Sequence, residues 1–366
     1  MSEAQPFASC TFIINPSRFP EYAKILKRIL KRTDVPSVIE STSKEHFVES
    51  VRDFCRGDHR HLLVWGGDGT AHDAINTITN ETLKDSSLRR RKTVGFLRGG
   101  SGNGIQDSYE VPLRIRSQLK AYFESVENEY TIDVDLLETE CNGDSSYCQL
   151  VGFGFDADLL RDRSGRVHRM GKRKGEIKRG VATYLKSALK TFIRSYAAIQ
   201  ENERSLDLYD GKYAFRGTRV NAEIPFDFFN KRSTAVEIEV GSRPYYGRLF
   251  KICPDVVCND GCLDVYVFNF TSRFLILANA LWLWLGRHDR INKKLARGNK
   301  AIIERFEVKR VVISSAKPFD YHVDGEVRRT AARRDDSPHQ VSIRVLPRQI
   351  SFLVPPAFYR KFHPFD

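Results

Sequence analysis

The stretch Val64-Trp65-Gly66-Gly67-Asp68-Gly69-Thr70 decides how this chain is read, together with Gly99-Gly100-Ser101-Gly102-Asn103 about thirty residues later. Each is a glycine-rich turn after a short apolar run. Glycines at such places let backbone N–H groups approach a phosphate closely. One cluster alone is equally a strand–turn–helix corner, with Asp or Thr as its cap. Two clusters at equivalent strand ends point to loops that hold a nucleotide. The Gly-x4-Gly-Lys-Ser/Thr pattern does not occur in them, so they are not a Walker-type site. Asp68 sits between glycines, where its carboxylate can meet a metal or take a proton. Thr70 can donate a hydroxyl to a phosphate, and a helix starting near Ala71 offers free N–H groups.

Around these turns the first third of the chain alternates in period. Thr11–Ile14, Val35–Ile39, Leu62–Trp65 and Val94–Leu97 read as strands, and Glu21–Lys31, Lys44–Cys55 and Ala71–Ile78 as helices. This βαβαβα rhythm predicts an open, mainly parallel sheet, whose ligands bind outside the carboxyl ends of the strands. Both glycine turns sit at such ends and can face one crevice.

The character changes near Tyr130. Strand-like runs follow at Thr131–Leu137, Tyr147–Phe155, Leu206–Tyr209, Tyr213–Arg216, Thr234–Val240, Arg248–Cys253, Leu263–Phe268, Phe306–Ser314 and Val341–Leu346. Asn142-Gly143 and Asp210-Gly211 are two-residue hairpin signals. Helix-like insertions fall near Gly180–Tyr196 and Arg273–Leu285, and residues 162–178 form a basic, glycine-containing loop. The expected architecture is α/β with two domains. Residues 1–132 are a nucleotide-binding parallel α/β domain, to which 347–366 return through the run Gln349–Leu353. Residues 133–346 are an antiparallel β-sandwich that holds the acceptor substrate.

The chain has 366 residues, a formal net charge of +13 and seven cysteines. The cysteines form no CxxC pairs, which argues against a zinc site or a disulfide framework and for a cytoplasmic location. No apolar run reaches the length of a membrane span; Phe274–Leu285 is the nearest. The positive balance suits nucleic acid, an anionic bilayer or a phosphorylated ligand. No nucleic-acid motif accompanies it, so nucleic acid is not expected. A membrane, if met, is met peripherally. Trp282 and Trp284 lie on opposite sides of their helix-like run, where core packing and lipid contact are both open.

Six segments in order resemble the diacylglycerol kinase catalytic-domain superfamily, which includes sphingosine and ceramide kinases. They are Asn15-Pro16, Gly66–Asn76 (GGDGTAHDAIN, with Asp73 where the family has Glu), Gly99–Asn103, Gly152–Asp158 (GFGFDAD), Asp260–Val265 (DGCLDV) and Asp324-Gly325-Glu326. The Gly99–Asn103 segment is closer to the sphingosine-kinase form. Gly104 follows it, where diacylglycerol kinases usually have Asp and sphingosine kinases Ala. The resemblance implies transfer of the γ-phosphoryl group of ATP to a lipid hydroxyl, with Mg2+. It implies ATP contacts by Asn15, Thr42 or Ser41, Gly66, Gly67, Asp68, Gly69, Thr70, Gly99, Gly100, Ser101, Gly102 and Asn103. Asp68 would act on the metal–phosphate unit, and Asp324 and Glu326 are the candidate base and metal-linked acid. Asp156 matches a position that reads the polar head of the acceptor. Asp260 with the Cys262 carbonyl resembles a Mg2+ site. His72 resembles a sphingosine-kinase position, beside a structural reading. An NAD kinase and a catalytically silent binding module are the alternatives. The acceptor, diacylglycerol or sphingoid, stays open, as does the oligomeric state.

Overall fold

In the computed structural model, residues 7–33, 35–158, 160–161, 202–215, 222–247, 250–295, 301–331 and 337–363 are described. The helix-like run Gly180–Tyr196 and the loop 162–178 lie outside them. The first region carries strands β1 (Cys10–Ile14), β2 (Ser37–Glu40), β3 (His61–Gly66) and β4 (Thr93–Arg98). Between and after them run helices α1 (Pro20–Leu30), α2 (Lys44–Arg56), α3 (Asp68–Lys84), α4 (Leu88–Arg91), α5 (Gly104–Ser108) and α6 (Ile115–Glu127). The four strands pair in parallel in the order β2-β1-β3-β4. Alternate residues feed opposite faces, as the pleat requires. Ile13, Val64 and Phe96 pack with Phe47, Phe54 and Ile75 of α2 and α3. Phe12, Leu63, Trp65 and Leu97 pack on the other face with Leu26, Leu30, Leu119 and Tyr122. Both faces are thus covered by helices, which explains why β3 reads as a continuous apolar run.

The second region is an antiparallel array. Its strands are β5 (Thr131–Cys141), β6 (Asp144–Cys148), β7 (Leu150–Gly154), β8 (Arg204–Phe215), β9 (Ala222–Ser233), β10 (Glu237–Gly241), β11 (Tyr245–Gly247), β12 (Phe250–Lys251), β13 (Leu263–Phe268), β14 (Ile303–Ser315), β15 (Asp320–Val323), β16 (Glu326–Arg329) and β17 (His339–Leu353). Helices α7 (Arg273–Trp284), α8 (His288–Leu295) and α9 (Pro356–Phe362) complete it. The path β16-β15-β7-β10-β13-β14-β17 joins the parallel strands through β4, where Phe352 pairs in parallel with Val94. Strand β17 also pairs antiparallel with β5 as far as Leu353 and Thr131, with a register shift between Leu346 and Ile350. One strand therefore belongs to the hydrogen-bonding of both regions.

Several sequence readings are corrected. Asp210-Gly211 makes no hairpin: β8 runs straight through it, flanked by β14 and β9 in constant register. Asp210 adopts a φ of 51° without leaving the strand. Pairing on both edges outweighs the local turn preference. Asn142-Gly143, with φ of 55° and 85°, does turn β5 into β6. The run Tyr147–Phe155 is two strands, β6 and β7, and Phe155 already begins a helical turn. The runs at 341–346 and 349–353 are one strand. Helix α6 and strand β9 carried no signal that the sequence reading used.

Candidate phosphoryl-transfer site

The two glycine turns meet. Gly99 donates its N–H to the Gly66 carbonyl at 2.8 Å. A Cβ on Gly100 would stand 2.3 Å from the Gly67 Cα, so only glycine allows this approach. Asn103 holds the second turn from within, in a left-handed conformation (φ 59°). Its Oδ1 accepts from Gly100 N at 3.0 Å and its Nδ2 donates to Gly100 O at 2.8 Å. The amide that the motif suggested as a phosphate contact is engaged with its own loop. Gly67 is the N-cap of α3 and no side chain caps that end, so first-turn N–H groups face out beside the loops. Asn15 reaches the same turn, its Nδ2 donating to Thr70 Oγ1 at 3.0 Å. Thr42 sits exposed after β2, within 3.0 Å of His46 Nδ1.

Asp68, the first residue of α3, is half-buried. Its Oδ1 accepts from Gly104 N at 2.6 Å and from Ile105 N at 3.3 Å. Burial pushes its carboxyl up, against the pull of Arg243 and these two N–H groups. Asp324 lies in the β15–β16 turn, where Asp324 and Gly325 have φ of 47° and 89°. This is an ordinary two-residue turn pair, yet its acid is buried in the site. Asp324 Oδ2 lies 3.2 Å from His72 Nδ1, and its Oδ1 accepts from Gln149 N at 3.3 Å and Arg243 Nη2 at 3.2 Å. Burial alone would raise its pKa, but His72 and Arg243 outweigh it and hold the carboxyl below the usual range. Arg243, 1 % exposed, is the buried cation between Asp68 and Asp324. Glu326 opens β16, with Oε1 3.5 Å from where a Gly69 Cβ would lie. Asp73, in place of the family's Glu, pairs with Lys44 at 2.8 Å. Asn76 braces α3 against β6 through both the N–H and the carbonyl of Tyr147.

Beside these groups lies a cavity of about 520 Å3. Asp68, Gly69, Ser101, Gly102, Asp156, Asp324 and Glu326 line one end, and Phe250, Phe268, Phe270, Ile276, Leu283 and Trp284 line the apolar remainder. The sequence pointed to most of the polar end. The apolar wall comes from three separate segments, and of those six residues the sequence reading weighs only Trp284 as a lipid contact. Trp282 packs partly buried against the neighbouring apolar core and carries Arg290 at 3.9 Å.

Beneath Asp156 is a second buried cluster. His322 Nε2 lies 3.0 Å from Asp156 Oδ2 and 3.5 Å from Glu239 Oε1, and Glu237 Oε2 accepts the Asp156 N–H at 2.9 Å. A Cβ on Gly152 would fall 2.2 Å from His322 Nε2, which accounts for that glycine of the GFGFDAD segment. Asp156, Glu239 and His322 each offer one ligating atom within 4.8 Å of the others, and both Glu239 oxygens are buried with no hydrogen-bond partner. The His322 Nδ1 lies 3.3 Å from Gly325 N, and against the cost of burial Asp156 and Glu239 raise the His322 pKa to about 10. Burial pushes Glu239 up to about 7, tempered by His322 and reinforced by Asp156.

Asp260 and Cys262 belong to another place. Asp260 Oδ1 accepts from Cys262 N at 2.9 Å, closing its own turn. The Lys309 ammonium lies 2.5 Å from the Gly261 carbonyl and 3.3 Å from Cys262 Sγ. Neither residue lines the cavity.

Sequence reasoning missed Arg243, Glu237, Glu239 and His322. Only His322 had a local signal, since alternation along β15 puts it on the same face as Asp324. His72, which has both a sphingosine-kinase-like and a structural reading, is a direct partner of Asp324.

Two family models match this chain: the diacylglycerol kinase catalytic domain over residues 9–138, and the YegS C-terminal NAD kinase beta sandwich-like domain over residues 205–354. The chain belongs to the diacylglycerol kinase-like lipid kinase family. It is similar in fold to a solved structure of a diacylglycerol kinase from Bacillus anthracis str. Sterne, at 17 % identity and a TM-score of 0.60, over 96 % of this chain and 98 % of that one. A second structure from the same strain gives 19 % identity and a TM-score of 0.60, over 96 % and 99 %. Comparison with curated proteins returns no match.

Proposed function

We propose that this protein transfers the γ-phosphoryl group of ATP to the hydroxyl of a lipid. One observation carries the reading: a largely apolar cavity ends at Asp68, Asp324 and Glu326, beside two glycine turns packed on a helix N-terminus. Charge on one side and hydrocarbon on the other suit an amphipathic alcohol whose hydroxyl meets a bound triphosphate. An NAD acceptor would meet little polar surface along that wall.

The chain's own residues divide the work. Backbone N–H groups at the start of α3 and at Gly102 and Asn103 hold phosphate oxygens, and Thr70 is set by Asn15. Asp68 faces the cavity with a raised pKa, which suits a group that takes the proton of the attacking hydroxyl. Asp324, the candidate base of the resemblance, has its carboxyl held, against burial, below the usual range by His72 and Arg243, with both oxygens engaged. Its part is to hold Arg243 and His72 in place. The carboxylate of Glu326 fits Mg2+, a hard cation that would neutralise phosphate charge when bound. Asp156 and Glu237, which line the cavity, face the head of the acceptor, diacylglycerol or sphingoid. The shared strand β17 supports grouping residues 347–366 with 1–132, and 133–346 as the acceptor domain.

Among the described residues no helix is long and apolar enough to cross a membrane. The +13 charge supports peripheral attraction to an anionic bilayer, and seven free cysteines support the cytoplasm.

The test is to incubate purified protein, labelled ATP and Mg2+ with diacylglycerol, sphingosine or NAD, and to identify the product. A lipid phosphate is expected. Phosphorylated NAD alone would establish the dinucleotide alternative, and no product on any acceptor would favour a silent module. In the same assay Asp68→Asn should lower turnover about 10^2- to 10^4-fold with the melting temperature unchanged. Ordinary turnover would remove Asp68 from the chemistry.

A further inference from the structure

Helix α7 is apolar on nearly every side, a composition typical of a buried helix. Its inner residues Ile276, Leu283 and Trp284 line the cavity. Its outer stripe does not pack on the protein. Phe274, Leu277, Leu281 and Leu285 are 68 %, 41 %, 64 % and 49 % exposed. They recur at i, i+3, i+7 and i+11, so they form one line down the helix. A contiguous exposed apolar stripe signals a partner.

We propose that this stripe docks the protein on an anionic bilayer, with α7 lying in the interface. Three observations choose that occupant. The same helix walls the cavity on its other side, so an interfacial α7 puts the apolar wall of the cavity next to hydrocarbon. The flanks are cationic: Arg273, Arg287, Arg290, Lys293 and Lys294 are exposed, against a single acid, Asp289. Hydrophobic face and basic rim together are the pattern of a helix held at an anionic surface. The helix is also too short to span, with twelve residues. It therefore lies along the membrane rather than through it. The proposal builds on the lipid-alcohol reading of the cavity, and names the surface by which the acceptor is reached.

The experiment is flotation of the full chain with vesicles of phosphatidylglycerol and phosphatidylcholine, or of phosphatidylcholine alone. Wild type should float with the mixed vesicles and much less with the neutral ones. The double variant Leu277→Asp/Leu281→Asp should bind them at least about tenfold more weakly. Arg287→Glu/Lys294→Glu should lose only the preference for anionic lipid. Both should keep the circular dichroism and melting temperature of wild type, and turnover on a short-chain, water-soluble alcohol. Unchanged flotation of Leu277→Asp/Leu281→Asp overturns the proposal. So does a wild-type dimer that this variant converts to monomer, since the stripe is then a self-association face. The two readings fail separately. Flotation without any phosphorylated product leaves the docking face standing and removes the kinase. Turnover on the soluble alcohol without flotation does the reverse.

Discussion

The phosphate side and the acceptor side of this site are built from different materials. On the phosphate side, main chain meets main chain: Gly66 and Gly67 against Gly99 and Gly100, with one side chain, Asn103, tying a loop to itself. On the acceptor side, buried polar and charged groups from separate strands and loops satisfy one another: Asp324 with Arg243 and His72, and His322 with Asp156 and Glu239. The first side should be intolerant of added bulk and insensitive to pH. The second should tolerate little loss of charge and respond to pH.

The strongest way to break this contrast is to remove the buried cation. Arg243→Met leaves Asp324 buried with a weaker partner, and should cost about 3–5 kcal/mol of stability in urea unfolding. Adding Asp324→Asn should return part of that loss. A cost below about 1 kcal/mol would mean that the pair behaves as a surface bridge.

Gly100→Ala tests the other side. Its Cβ meets backbone, which cannot swing away, and the expected cost is about 1–3 kcal/mol together with a raised KM for ATP. Unchanged stability and KM would show that the turns part without consequence.

The pH response should be bounded by about 3 kcal/mol, the equivalent of a carboxyl moved from 4.5 to about 7. Burial holds the Glu239 carboxyl up to about 7, against 4.5 for a free glutamate. Between those values the folded protein keeps a proton that the unfolded chain releases. Stability is therefore lost as pH rises from 4.5 to 7. Glu239→Gln should flatten that slope, measured as urea midpoints from pH 5 to 8. A slope that persists in the variant places the titration elsewhere.

The smallest effect is expected at Gly69, where a Cβ would have only Glu326 Oε1 at 3.5 Å. Gly69→Ala should change stability by less than about 0.5 kcal/mol. A larger change would show that the loop tolerates no side chain at all, even where there is room.

By itself the sequence determined what depends on neighbours along the chain. Glycine is the residue for a tight strand–helix turn, so the turns at Gly66 and Gly99 were legible, as were the βαβ rhythm and Asp68 between its glycines. It also marked Asp324 and Glu326, although their type of turn is commonplace. Tertiary structure decided the partners. Arg243 follows no pattern that distinguishes it from the other 58 Lys and Arg; only the convergence of its segment, α3 and the β15–β16 turn makes it the central cation. The same convergence engaged Asn103 and Asp324 with protein groups, set Lys309 beside Gly261 and Cys262, and carried the chain straight through Asp210-Gly211. The reason is physical. Turn chemistry is paid within a few residues, whereas burial, which sets each pKa and assembles the cavity wall, exists only once distant strands have packed.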